Sequence, residues 1–151
     1  MITRRALVAA GAGVLLAGCG AEAEPVPPDA ELLGAVLAAE RALAGAYALL
    51  EGRTGGVLAA RARSHAARLE QAGADPAPAP ASPAGEPLEA ALALQRRSMA
   101  ACVSAVGVVR SPAGRTLAAD VLTAGAQHAA ILLTRLGRDP VPTAFPRGQA
   151  P

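Results

Sequence analysis

Four prolines that alternate mainly with alanine, between residues 74 and 85, limit what this chain can fold into more than any other feature. Such a composition favours an extended polyproline conformation. At about 3.1 Å per residue the segment spans about 37 Å, close to the length of a helix of about 23 to 25 residues. This spacer can therefore cross a helical bundle from end to end, so that the segments on either side of it form two separate hairpins.

Two helices are predicted before the spacer, at about residues 29–51 and 54–73. Asp29 is expected to be the N-cap of the first helix, and Gly52 and Gly73 are expected to end the two helices. The inward apolar positions given by helical spacing are Leu33, Val36 or Leu37, Leu43, Tyr47, Leu50, Val57, Leu58, Ala62 and Leu69.

Two more helices are predicted after the spacer, at about residues 86–110 and 112–136. Ser111 is expected to cap the last helix, with Pro112 at its first position and Gly137 at its end. The inward positions are Leu88, Leu92, Gln95, Met99, Cys102, Val106 and Val109, then Leu117, Val121, Ala124, His128 and Ile131. Because no strand-like alternation occurs, the sequence predicts an all-α four-helix bundle over residues 29–139.

Each predicted helix carries one polar residue near the middle of its inward face: Glu40, His65, Gln95 and His128. Buried polar groups destabilise a fold unless they are paired, hydrogen-bonded or bound to a metal. Within each hairpin the two residues are about equally far from the turn, so Glu40 should face His65, and Gln95 should face His128. The two pairs differ in their distance from the turn, which leaves an offset of about one to two helical turns and leaves a single shared site open.

The N-terminus has the three parts of a secretory signal: Arg4 and Arg5, an apolar run of about eleven residues, and small residues before Cys19. The run is too short to span a bilayer. Leu16-Ala17-Gly18-Cys19 resembles the lipobox of bacterial lipoproteins, which implies that residues 1–18 are removed and that Cys19 is lipidated. Residues 19–28 would then tether an extracytoplasmic domain to the membrane, and residues 140–151 form a C-terminal tail. An ordinary cleaved signal is the alternative, and general secretory and twin-arginine export both stay open.

Charge argues against a nucleic-acid partner, because twelve arginines balance twelve acidic residues once the signal is removed and the aromatics are Tyr47 and Phe145. Lipidation of Cys19 would leave Cys102 without a disulfide partner, so we expect a buried core thiol rather than a nucleophile. Gly-rich phosphate loops and serine hydrolase motifs are absent from the sequence.

The chain resembles the ferritin-like superfamily, specifically the small bacterial ferritin-like domain proteins that are often secreted or lipid-anchored. The resemblance covers about residues 32–145 and rests on the two-hairpin layout and on short motifs. These are Ala39-Glu40-Arg41 followed by Tyr47, Arg63-Ser64-His65 followed by Arg68, and Thr143-Ala144-Phe145-Pro146. Metal-binding members supply a Glu from two helices and a Glu-x-x-His from the other two.

Carried over to this chain, Glu40 matches the first Glu, and His65 and His128 match the two histidines. The partner positions hold Ala62 and Gly125, and Gln95 stands where the remaining carboxylate belongs. Only one of four carboxylates is kept, which argues against a di-iron centre. A mononuclear site for one divalent metal such as zinc, held by Glu40, His65 and His128, is the alternative. A haem between the two histidines is disfavoured by the Ala-rich interior.

Taken together, these features predict a lipid-anchored envelope protein that acts as a binding or structural component rather than as an enzyme. No cofactor is expected, and the polar residues would bond to each other inside the bundle. The alternative is a metal-binding protein or metalloenzyme that uses the mononuclear site. The membrane is the expected partner through Cys19, and a protein partner or a homodimer formed through an Ala-rich helix face stays open.

Overall fold

The computed structural model describes residues 28–140, which form four α-helices. These are α1 (Asp29–Ala48), α2 (Arg53–Gln71), α3 (Pro87–Val108) and α4 (Pro112–Arg135). The described residues contain no strand. The prediction of an all-α chain with four helices is therefore confirmed.

The two polar helix starts predicted from the sequence behave differently. The Ser111 side chain accepts a hydrogen bond from the backbone N–H of Gly114 at 3.1 Å and caps α4, as predicted. Asp29 is not an N-cap, because α1 already begins at this residue. Its carboxylate instead accepts the backbone N–H groups of Arg110 and Ser111, each at 2.8 Å, and these bonds lower the pKa of Asp29. Asp29 thus holds the α3–α4 turn against the start of α1.

This contact also fixes the helix directions. The start of α1 meets the end of α3, so α1 runs antiparallel to α3 and parallel to α4. The spacer begins beside α1, where the backbone N–H of Asp75 donates to Ala30 O at 2.9 Å. Gly34 lets it approach, because a Cβ at residue 34 would lie 1.8 Å from Asp75 O. Further along the spacer, Arg97 in the middle of α3 donates to Ala81 O at 3.0 Å. The spacer therefore runs beside α3 before it reaches the start of that helix.

The core consists of two apolar clusters with polar side chains between them. One cluster lies toward the start of α1, and the other lies toward its end. The first contains Leu33, Val36, Leu37, Leu69, Cys102, Val109, Leu117 and Val121; the second contains Leu43, Tyr47, Leu58, Leu92, Leu94 and Leu132. The buried polar side chains of the described residues are Glu40, Gln95, Ser98 and His128.

One side of the bundle is open. Three neighbouring pairs, α1–α2, α3–α4 and α1–α3, pack along their lengths, but α2 and α4 contact each other only sparingly. Val57 on α2 and Ile131 on α4 were predicted to point inward, yet they are 48% and 39% exposed. These two predictions are wrong, because the helices that should cover each other at this side stay apart.

By length and composition, α4 is the one helix of the described residues that could cross a membrane. In this structure it packs against α3 and places Leu117, Val121, His128 and Leu132 in the interior. A core helix of a bundle passes the same test, and we assign α4 to the core.

Candidate functional site

All four helices contribute to one connected set of polar side chains, which we call the polar layer. Its members are Glu40 and Tyr47 on α1, His65 on α2, Gln95 and Ser98 on α3, and His128 on α4. The polar residues of the two hairpins therefore lie together. The offset of about one to two helical turns that the sequence predicts between the two pairs does not keep their side chains apart.

Glu40 is the buried carboxylate at the centre of the layer. Nδ1 of His65 lies 3.0 Å from its Oε2, and the Ser98 hydroxyl donates to its Oε1 at 2.7 Å. The Glu40 side chain is 3% exposed, whereas that of His65 is 13% exposed and reaches toward the surface. Both carboxylate oxygens therefore have a partner from the protein itself, as a buried carboxylate requires.

Gln95 does not bond to His128 in the described residues but to α1, where the Tyr47 hydroxyl donates to its Oε1. Burial raises the pKa of Tyr47 above its ordinary value, and the negative charge of Glu40 adds to this, so the phenol keeps its proton and acts as donor. On α4, Gln95 faces Gly125, where an added Cβ would lie only 2.7 Å from Gln95 Nε2. The missing side chain at residue 125 makes room for the amide.

His128 lies between the two bonded groups. Its ring meets Tyr47 edge-on, with centroids 5.9 Å apart, and lies 6.4 Å from the His65 ring with planes inclined by 21°. Within the described residues, Nε2 of His128 is buried and has no hydrogen-bond partner. Burial lowers the pKa of His128, the charges of His65 and Arg61 act in the same direction, and Glu40 opposes them. The ring is therefore held in its neutral form.

The geometry does not fit the di-metal centre that the resemblance to ferritin-like proteins implies. Glu40 is the only buried carboxylate of the described residues, and both its oxygens are already bonded. In residues 28–140 no three His, Cys, Asp or Glu side chains are grouped so that they could hold a metal ion. The rings of His65 and His128 lie 6.4 Å apart, and Nδ1 of His65 is 3.0 Å from Glu40 rather than turned to a site shared with His128.

Cys102 lies in the first apolar cluster, one helical turn after Ser98 of the polar layer, whose side chain contacts its thiol. Burial raises the pKa of its thiol to about 12, and the charge of Glu40 contributes. Because the thiolate is the nucleophilic form, this cysteine is inert in the folded protein.

The sequence predicted four of the six residues of the polar layer. It did not predict Ser98 as a donor to Glu40 or Tyr47 as a donor to Gln95. Ser98 lies three residues after Gln95 on the same face of α3, and Tyr47 lies two turns after Glu40 on α1. That spacing could have indicated both as partners. The predicted lipidation site Cys19, the predicted signal at residues 1–18 and the motif at residues 143–146 lie outside the described residues.

Comparison of the chain with family models, with curated proteins and with solved structures gave no match.

Proposed function

We propose that this chain is a lipid-anchored, extracytoplasmic protein with a ferritin-like bundle whose di-metal site has been replaced by hydrogen bonds. In this proposal it is a binding or structural component and not an enzyme. The observation that carries it is the Glu40 carboxylate, whose two oxygens are bonded by His65 and Ser98. Glu40 is also the only buried carboxylate of the described residues, so the set of carboxylates that bridges two metal ions in ferritin-like proteins is missing from this part of the chain.

The helix arrangement supports the ferritin-like part of the proposal. Ferritin-like bundles join two helical hairpins by one long crossover. Here the spacer starts beside the first turn of α1, passes the middle of α3 and reaches the start of α3 at the opposite end of the bundle, as a long crossover does. The lost ligand positions support the second part: Ala62 is buried on α2 without a polar group, and the space beside Gly125 is occupied by Gln95.

The anchoring part rests on Leu16-Ala17-Gly18-Cys19 and is tested by location. We expect the wild-type protein in the membrane fraction of a bacterial host, with a mass increase at Cys19 that corresponds to a diacylglyceryl group. Cys19→Ser should abolish that mass increase. An unmodified Cys19 in protein found in the membrane fraction would contradict lipid anchoring.

A mononuclear metal site at Glu40, His65 and His128 is the second candidate. One observation favours it: Nε2 of His128 is buried and unpartnered in the described residues, as a free ligand atom would be. Elemental analysis after anaerobic loading with iron, zinc or manganese separates the candidates. Our proposal predicts far less than one metal per chain. Metal near one per chain, lost in His65→Ala, would establish the metal site instead.

A further inference from the structure

The open side of the bundle contains a cavity of about 270 Å³ between α2 and α4. Its lining includes Arg53, Val57, Leu58, Arg61, His128 and Ile131. The cavity shares His128 with the polar layer, but none of the hydrogen bonds of that layer involves a residue of the lining.

His128 is the buried polar residue of this lining. The whole residue is 2% exposed, and its Nε2 has no partner among the described residues. Buried polar atoms without a partner are rare in folded proteins and call for a specific explanation. The His128 ring is part of the cavity lining, so a turn of the ring that brings Nε2 to the cavity would let a bound ligand supply one.

The two charged residues of the lining are cationic, whereas Glu40, whose negative charge acts on His128 from the polar layer, does not line the cavity. In residues 28–140, Arg53 and Arg61 form no ion pair, whereas Arg41, Arg68 and Arg138 each bind a carboxylate. Arg61 is close enough to His128 for its charge to lower the pKa of the ring. A guanidinium matches the geometry of a carboxylate with two parallel hydrogen bonds.

The rest of the lining consists of an apolar wall, formed by Val57, Leu58 and Ile131, and of the polar residues Thr54 and Gln127. Val57 and Ile131, both substantially exposed, line the cavity from opposite helices, and Leu58 lies buried beside them. The cavity is open to solvent, and its volume of about 270 Å³ admits a small ligand with a short aliphatic part.

We propose that this cavity binds a small aliphatic carboxylate, with its charged end at Arg61 and His128 and its chain against Val57, Leu58 and Ile131. An inorganic anion would leave the apolar walls uncovered, and a neutral hydrocarbon would leave the guanidiniums without a partner. The inference deepens the proposed binding role and rests on it, but it depends neither on lipid anchoring nor on metal.

The test is calorimetric titration of the purified full chain with hexanoate, in phosphatidylcholine nanodiscs if Cys19 is lipidated and in buffer if it is not, after subtraction of the heat of the matching blank. We expect saturable binding at one site per chain. Arg61→Gln should weaken it by about tenfold or more, because a charge-assisted hydrogen bond is lost. Arg63→Gln is the matched control: it is exposed on the same helix, lies outside the cavity lining and should leave the affinity unchanged.

Three results would overturn the proposal: no saturable heat with hexanoate, equal weakening by Arg61→Gln and Arg63→Gln, or hexan-1-ol binding as tightly as hexanoate. Circular dichroism of both variants checks that they are folded, which we expect because both arginines are exposed. Failure here leaves the Cys19 modification and the metal content unchanged, so it is distinguishable from failure of the proposed function.

Discussion

The same substitution at the two histidines of the polar layer should have opposite consequences. In His65→Leu, Glu40 Oε2 loses its partner, and because the Glu40 side chain is 3% exposed, water cannot replace it. A hydrogen bond to a charged group contributes about 1.5–3 kcal/mol, and the buried position favours the upper part of that range. We therefore expect His65→Leu to lower the free energy of unfolding by about 2–3 kcal/mol.

In His128→Leu, no hydrogen bond of the described residues is lost, because Nε2 has no partner there. Removing an unsatisfied buried atom relieves about 1–3 kcal/mol, and loss of the edge contact with Tyr47 offsets about 0.5–1.5 kcal/mol of this. The free energy of unfolding should therefore change by about −0.5 to +2.5 kcal/mol, so that His128→Leu is nearly neutral or stabilising.

The assay is urea denaturation of the metal-free protein, followed by circular dichroism at 222 nm. Equal slopes for wild type and both variants would show that the same surface unfolds in each. Equal destabilisation by the two variants would refute the reasoning, because it would mean that His128 is bonded as firmly as His65. A negligible effect of His65→Leu would refute the role of the Glu40 network in stability.

Three further predictions follow from individual residues. Burial lowers the pKa of His128 in the folded protein, so the unfolded chain binds this proton first as the pH falls, and the free energy of unfolding should decrease below about pH 6.5. The contribution of His128 is the difference in unfolding free energy between the wild type and His128→Leu, measured across this pH range. A difference that does not change with pH would contradict the prediction. The buried Cys102 thiol should resist alkylation at pH 8 until urea unfolds the chain. Mass spectrometry of the Cys19→Ser variant, in which Cys102 is the remaining cysteine, measures this, and rapid labelling of the folded protein would contradict burial of the thiol. Gly125→Ala should lower the free energy of unfolding by about 1–3 kcal/mol, because its Cβ displaces Gln95; Gly45→Ala, where the added Cβ meets nothing within 4 Å, is the control and should not destabilise.

Local signals predicted the parts of this structure that depend on neighbouring residues. Ser111 caps α4 because Ser-Pro at a helix start is a local arrangement, and the sequence shows it directly. Glu40 and His65 could be paired from the sequence because both are equally far from the turn at Gly52, and a tight hairpin fixes their register.

The failures concern contacts between parts of the chain that are distant in sequence. Asp29 bonds the backbone of Arg110 and Ser111, about eighty residues away, and that contact exists only because α1 and α3 pack antiparallel. Val57 and Ile131 follow a helical apolar pattern, but this pattern does not show which helices pack against each other along their lengths. The cavity between α2 and α4 arises from this open pair and was therefore not predictable from periodicity.

The coupling energy between Glu40 and His65 tests the central claim that hydrogen bonds hold the polar layer together without metal. It is obtained from a double-mutant cycle of Glu40→Leu, His65→Leu and the double variant, measured by urea denaturation with and without EDTA. The account predicts a favourable coupling of about 1.5–3 kcal/mol that is the same in both conditions. No coupling in the presence of EDTA, with coupling restored by added zinc, would contradict it.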